Sequence, residues 1–236
     1  MSEKTDERDG IPEKLVPSDE SAALGFSQNP EPRCPCVLLL DTSESMKGAP
    51  IEELNKGLRA FKEVLEQDEV ARKRVEVAVV TFDSVVKVVR EFETAERFEP
   101  PILTAQGRTR MGYGIIAALE MIRLRKVQYR ANGVFYHRPW VFMITDGEPQ
   151  GEPRAVVAMA AQRIREEEGK RRVTFFAVGV QRANMERLRE IAVRPPLKLI
   201  ELKFGDMFVW LSSSMQKISQ SRADQEVTLP PTTWGK

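Results

Sequence analysis

Histidine and cysteine are almost absent from this chain, which has one histidine and two cysteines in 236 residues. Two cysteines cannot build a disulfide framework, and with His137 alone beside them they cannot complete a zinc centre. Cys34 and Cys36 flank Pro35 at the start of an apolar run, so both side chains fall on one face of the expected strand. A C-x-C disulfide is strained, and two reduced thiols in a cytoplasmic protein are the expectation. An excess of either charge sign is also lacking. The formal net charge is +1, which gives no overall polyelectrolyte character, so neither nucleic acid nor membrane is expected as a partner. No run approaches the ~18 apolar residues of a bilayer-spanning helix. Residues 1–30 are polar and acidic and lack the apolar stretch of a secretory leader.

The chain does have apolar residues in short, regularly spaced runs. Residues 1–33 are dominated by Glu, Lys, Asp, Ser and Pro without a period, which predicts a disordered N-terminal arm. From Cys34 onward strands and helices alternate. A strand is expected over about 35–41, followed by a helix opened by Pro50 with Ile51, Leu54, Leu58, Phe61 and Leu65 on one face. Strands over about 75–82 and 85–92, joined at Asp83-Ser84, form an antiparallel hairpin. A helix over about 111–126 buries Ile115, Leu119 and Ile122. Strand 139–145, helix 153–168 and the nearly all-apolar strand 173–180 follow. A short helix at 184–192, a strand at 197–202 and a helix at 206–219 complete the folded part, residues 34–220. The polar segment 221–236 is expected to be a flexible tail. This order predicts a doubly wound α/β fold: a mostly parallel six-stranded sheet, one antiparallel edge strand, and helices on both faces.

Three loops stand out in that frame. Asp41-Thr42-Ser43-Glu44-Ser45 follows the apolar run Val37–Leu40, a D-x-S-x-S element. Thr109 lies in Gly107-Arg108-Thr109, just before a helix. Asp146 lies in Thr145-Asp146-Gly147, after the apolar run 140–144. In doubly wound sheets ligands bind beyond the carboxyl ends of the strands, so these loops can meet on one edge. Asp41, Ser43, Ser45, Thr109 and Asp146 form an all-oxygen set suited to a hard divalent cation, with Mg²⁺ the usual choice and Mn²⁺ or Ca²⁺ as substitutes.

These motifs, in this order, resemble the von Willebrand factor A domain with its metal-ion-dependent adhesion site (MIDAS), over residues 34–220. Within that family, Leu40–Met46, Thr81-Phe82-Asp83-Ser84, Pro100-Pro101 with Thr104-Ala105, Met143–Pro149 and Trp210–Ser214 look like the bacterial TerY/YegL-like group linked to tellurium resistance and stress signalling. The chain departs from the pattern at Glu44, where glycine is commoner, and at Arg108 and Arg110. The resemblance implies that Ser43 and Ser45 bind Mg²⁺ directly, Thr109 directly or through water, and Asp41 and Asp146 mainly through water. Neutral hydroxyls leave much of the metal charge unquenched. The open position then takes a carboxylate or phosphate from a protein partner. For the TerY-like group the implied partners are a protein kinase and a PP2C-type, metal-dependent protein phosphatase.

Other readings of the same residues remain. Asp and Ser at strand ends often only cap loops. Asp41 as a phosphoacceptor would make the protein a Mg²⁺-dependent phosphohydrolase, although such enzymes usually have a second Asp where Ser43 stands. A subunit of an ATPase-driven chelatase or remodelling machine is a third class. Ser43 has no G-x-S-x-G elbow, and His137 is expected to face solvent. Gly112-Tyr113-Gly114 is too short to bind phosphate alone. The basic stretches Arg123, Arg125, Lys126, Arg130 and Lys170-Arg171-Arg172 read as solvated helix faces or ends. Arg108 and Arg110 either pair with Glu44 or Glu148 or help attract an acidic partner. The favoured reading is a non-enzymatic, Mg²⁺-dependent interaction module.

Overall fold

The computed structural model describes residues 26–222, 225 and 227–235. Strand β1 (Cys34–Asp41) lies at the centre of the sheet with all eight residues buried. Its side chains alternate between two cores, as the pleat requires. Cys34, Cys36, Leu38 and Leu40 face one core, while Val37 and Leu39 face the other. A single 3-10 turn (Glu44–Met46) leads into helix α1 (Ala49–Glu66), whose Pro50 lies in its first turn. The short helix α2 (Ala71–Arg74) precedes strands β2 (Val75–Phe82) and β3 (Val86–Thr94). Then come α3 (Met111–Ala131), β4 (Trp140–Thr145), α4 (Arg154–Gly169), β5 (Thr174–Gly179), α5 (Met185–Ile191), β6 (Leu197–Lys198) and α6 (Phe204–Gln220).

The strand order is β3-β2-β1-β4-β5-β6. β1 runs parallel to β2 and β4, β4 to β5 and β5 to β6, while β3 is antiparallel to β2 at the edge. This is the expected doubly wound sheet. Side chains of α1 and α6 cover one face, including Leu54, Phe61, Phe208 and Leu211. Ile115, Leu119, Ala160, Ile164 and Leu188 of α3, α4 and α5 cover the other. Cys34 and Cys36 are free and buried; burial pushes the Cys34 thiol up to about 12 and the Cys36 thiol up further in direction, so both stay protonated.

Several expectations need correction. β6 is two residues long instead of six, because Glu201 takes a left-handed φ of 52° and turns the chain into α6. The backbone beyond β6 pairs with the C-terminal segment. Leu199 bridges Gly235 in antiparallel fashion, and Ile200 N donates to Trp234 O at 2.9 Å. Among its described residues, the segment expected to be a flexible tail is therefore docked. Trp234 is fully buried against Phe142 and Trp210, and Trp210 Nε1 donates to Pro230 O at 2.8 Å. At the other end, residues 1–25 of the expected arm lie outside the described residues, but Phe26 and Arg33 are buried. Arg125 and Lys126, expected on a solvated face, are also buried.

His137 is a further correction, since it is 2% exposed. Its backbone N–H donates to Arg33 O at 2.7 Å, while its Nε2 has no partner among the described residues. Burial, and then the charge of Arg74, hold the imidazole below its ordinary 6.5. The unfolded chain thus binds a proton near pH 6 that the folded chain refuses. The stability that His137 confers is present above pH 6.5 and is lost as pH falls below it. His137→Gln should flatten that limb of a stability-against-pH curve measured by urea unfolding; an unchanged slope would show that His137 titrates normally in the fold.

Candidate metal centre

The sheet delivers three loops to one edge. β1 ends at Asp41 and β4 at Thr145, so Asp41 and Asp146 leave adjacent parallel strands on the same side. The loop before α3 supplies Thr109. Backbone hydrogen bonds lace the loops together: Glu44 N to Gly107 O at 3.0 Å, Gln106 N to Thr42 O at 2.8 Å, Arg110 N to Asp83 O at 3.0 Å and Gln150 N to Thr109 O at 2.8 Å. Gly107 has φ 72°, and a Cβ there would stand 2.5 Å from Ser84 Oγ, so both conformation and space require glycine.

The side chains form a continuous oxygen array. Ser43 Oγ lies 3.0 Å from Ser45 Oγ, and Ser45 Oγ donates to Asp146 Oδ1 at 2.7 Å. Asp41 sits behind them, fully buried; its Oδ1 accepts from Ser43 N at 2.8 Å and its Oδ2 from Thr145 Oγ1 at 2.5 Å. Thr109 is 3% exposed. A Cβ on Gly147 would project 3.4 Å from Thr109 Oγ1 and 3.8 Å from Asp41 Oδ2, so the glycine keeps the space between them open. All five predicted residues therefore meet at this edge.

Burial dominates the electrostatics of both carboxyls. Burial pushes the Asp41 carboxyl up to about 6; the hydrogen bonds from Ser43 and Thr145 oppose the rise, and the Asp146 charge adds to it. Burial also raises Asp146, against the bond from Ser45. The donor set fits a hard divalent cation. Ser43 Oγ, Ser45 Oγ and Asp146 Oδ1 follow one another at hydrogen-bond distance, 3.0 and 2.7 Å, on this edge, and hydroxyl and carboxylate oxygens are what such a cation takes. Among the described residues no three His, Cys, Asp or Glu side chains converge to hold a metal; here the hydroxyls complete the set.

Two of the charged neighbours are held by nearby side chains. Glu44 bonds Lys47 at 2.6 Å, and Glu148 accepts from Asn184 Nδ2 at 2.5 Å. The Arg110 guanidinium stands 5.8 Å from the centre of the Tyr113 ring, and its charge acts on Glu152. Arg108 is exposed, with its backbone N–H donating to Ser84 Oγ at 2.9 Å.

Sequence reasoning missed three participants. Thr145 fixes Asp41, and its place beside Asp146 was a usable signal. Glu152 caps α3, accepting from Gly112 N at 2.8 Å and Tyr113 N at 3.1 Å across forty residues of chain, with no local signal. Asn184 caps α5 through Glu186 N and Arg187 N and also reaches Glu148.

Comparison with known proteins addresses the family and the fold. The von Willebrand factor type A domain profile matches residues 36–206. No curated protein matches the sequence significantly. Among solved structures, a von Willebrand factor type A protein from Catenulispora acidiphila aligns with TM-score 0.57 and 18% identity, covering 79% of this chain and 43% of that one. The pilus adhesin SpaC from Lactobacillus rhamnosus GG, in its open conformation, gives TM-score 0.63 at 14% identity, covering 79% and 30%. Proximal thread matrix protein 1 from the mussel byssus, described with a zinc-occupied MIDAS motif, gives 0.53 at 19%, covering 78% and 48%. The chain thus spans less than half the length of each of these three proteins, and at such identities they speak to the fold. Since the family profile covers most of the chain and the sheet has the matching topology, this protein belongs to the von Willebrand factor type A domain family.

Proposed function

We propose that this domain is a divalent-cation-dependent protein-interaction module. Ser43, Ser45, Thr109, Asp41 and Asp146 would hold Mg²⁺, which when bound supplies a positive centre for a carboxylate or phosphate of a partner protein. The observation that carries this reading is the oxygen array Ser43–Ser45–Asp146 with the fully buried Asp41 behind it. The protein's groups do the rest of the work. Thr145 and Ser43 N orient Asp41, Gly147 leaves room, and Asp146 holds the Ser45 hydroxyl toward the site. The module is a binder in this reading and not a catalyst. Supporting that, the single histidine lies before the first residue of β4, at the end of the strand opposite Asp146, out of reach as a base.

The finer proposal places the module in a TerY-like stress or signalling system in the cytoplasm, with a protein kinase and a metal-dependent phosphatase as partners. It is supported by the segments around Asp41, Asp83 and Asp146 that resemble that group. Also in keeping with it, no helix among the described residues is long and apolar enough to cross a membrane.

Thermal melts test the metal. A ligand that binds only the folded state adds RT ln(1 + [L]/Kd), about 2.7 kcal/mol at a hundred times Kd. For a chain of this size that is a rise of roughly 5–11 °C. Mg²⁺ against EDTA should give such a difference, and Ser43→Ala should shrink it by more than half. Identical melts across millimolar Mg²⁺, Mn²⁺ and Ca²⁺ would remove the basis for the reading.

A further inference from the structure

Asp41, Ser43, Ser45 and Asp146 end or closely follow β1 or β4, but Thr109 is delivered by the long loop between β3 and α3. Ordering such a loop costs backbone entropy residue by residue, so a ligand carried on it needs an outside brace. The turn between β2 and β3 supplies one. Both N–H groups that flank Thr109 donate to that turn: Arg108 N to Ser84 Oγ at 2.9 Å and Arg110 N to Asp83 O at 3.0 Å. On its other side, Thr109 O accepts from Gln150 N at 2.8 Å. Gly107 packs so closely on the turn that a Cβ would stand 2.5 Å from Ser84 Oγ.

The turn is itself braced and reaches the second loop of the edge. Asp83 is buried; its Oδ1 accepts from Val85 N at 2.8 Å, and its N–H donates to Val85 O at 3.2 Å. Thr42, between Asp41 and Ser43, donates its N–H to Phe82 O at 3.0 Å. Residues 82–84 therefore hold the Asp41–Ser45 loop and the Thr109 loop in one frame. Of the two contacts to the flanks of Thr109, only the one through Ser84 Oγ depends on a side chain, so residue 84 sets it. A serine with a purely local role bonds within its own turn. This one accepts from a residue twenty-four positions away.

We propose that Ser84 is a positioning residue of the metal site: its hydroxyl fixes the loop on which Thr109 meets the cation, and through Thr109 it sets the affinity for Mg²⁺. The inference rests on the reading of this edge as a cation site. Ser84 acts through Thr109 and is not a ligand. A loosened loop has to be ordered again each time the cation binds, and that cost falls on the affinity.

Titration calorimetry with Mg²⁺, well below the melting temperature, tests it, with melts in EDTA as the measure of the fold. Ser84→Ala should weaken Mg²⁺ about three- to tenfold, the scale of one hydrogen bond. The EDTA melt should move by no more than about 2 °C, because Arg108 is exposed and its freed N–H finds water. In a Thr109→Ala background the same change should alter the affinity by less than about twofold, since its effect passes through Thr109. Amide exchange in EDTA gives an independent reading: Ser84→Ala should quicken exchange at Arg110 and Gln150 and leave the β1 amides as in the parent. If Thr109→Ala abolishes Mg²⁺ binding, this exchange decides. Unchanged Mg²⁺ affinity in Ser84→Ala, an equal loss in the Thr109→Ala background, or unaltered exchange at Arg110 and Gln150 overturns the proposal while the cation reading stands. A parent chain that binds no Mg²⁺, Mn²⁺ or Ca²⁺ overturns the cation reading, and this proposal with it.

Discussion

Glu76→Ala should destabilise the domain by about 3–5 kcal/mol, the cost of stripping the partner from buried charges. Glu76 is 2% exposed near the start of β2. Its Oε1 accepts from Arg33 Nε at 2.9 Å, and its Oε2 from Arg125 Nε at 2.9 Å and from the Tyr129 hydroxyl. Arg125 also lies against the rings of Phe26 at 4.7 Å, Tyr129 at 5.2 Å and Phe92 at 5.5 Å. One carboxylate thus neutralises two buried guanidinium groups and fastens the segment 26–33 to the body of the domain. Alanine would strip the carboxylate from both guanidinium groups, leaving Arg33 the carbonyls of Glu31 and Asn29 and Arg125 the Gln128 side chain, and would take the acceptor from the Tyr129 hydroxyl. For a domain of this size the melting temperature should fall by roughly 6–20 °C. In urea the midpoint should drop with the slope unchanged. A loss below about 1 kcal/mol would mean that water reaches the cluster and that the charges are screened as at a surface. Truncation before Phe26 preserves these contacts, whereas truncation through residue 30 removes the Phe26 ring and should reproduce part of the loss.

The contrast between this clamp and the metal edge shows what the sequence makes legible. The strands covered on both faces are nearly all apolar, so β1, β2, β4 and β5 are readable from local composition, and with them the fold. The edge is readable because each of its loops begins where such a run stops: Asp41 after Val37–Leu40, and Asp146 after the run 140–144. What escapes is everything whose partner lies far off in sequence. Phe26, Val227 and Trp234 lie in short segments without a helical or strand period, so nothing local betrays that they reach the core. Arg125 resembles its solvated neighbours until Glu76, forty-nine residues earlier, is seen to face it. A trace of that partnership was present. Glu76 interrupts the apolar stretch Val75–Phe82, in which every residue is buried, and a carboxylate there demands a cation. The basic stretches at 123–130 and 170–172 were likewise visible separately, and only the crossover from α3 through β4 and α4 sets Lys126 and Arg172 beside the same Glu167.

Asp41→Asn should have opposite effects on stability and on binding. In the metal-free fold the Asp41 carboxyl, fully buried, lies near 6 instead of its ordinary 3.8. The folded state therefore holds a proton between about pH 4 and 6 that the unfolded chain has released, and stability falls as pH rises through that window. At pH 7 the ionised Asp41 is a burden on the metal-free domain. Asparagine has the same shape and no charge, and it can still meet Ser43 N and the Thr145 hydroxyl. It should raise stability in EDTA at pH 7 by about 1–3 kcal/mol. The same change withdraws one of the two carboxylates that attract the cation, so the Mg²⁺-dependent rise in melting temperature should vanish. Capture of a partner from lysate on the immobilised domain, compared with and without Mg²⁺ by mass spectrometry, should lose its metal-dependent component. Arg108→Ala with Arg110→Ala should only weaken that component and reduce its sensitivity to salt, since screening acts on those charges. A variant that is more stable without metal yet binds nothing is the mark of a carboxylate kept for function against the interest of the fold. If instead Asp41→Asn retains metal-dependent capture, Asp41 serves only to order the loop. A phosphate-ester hydrolysis abolished by Asp41→Asn would turn the assignment toward the Mg²⁺-dependent phosphohydrolase.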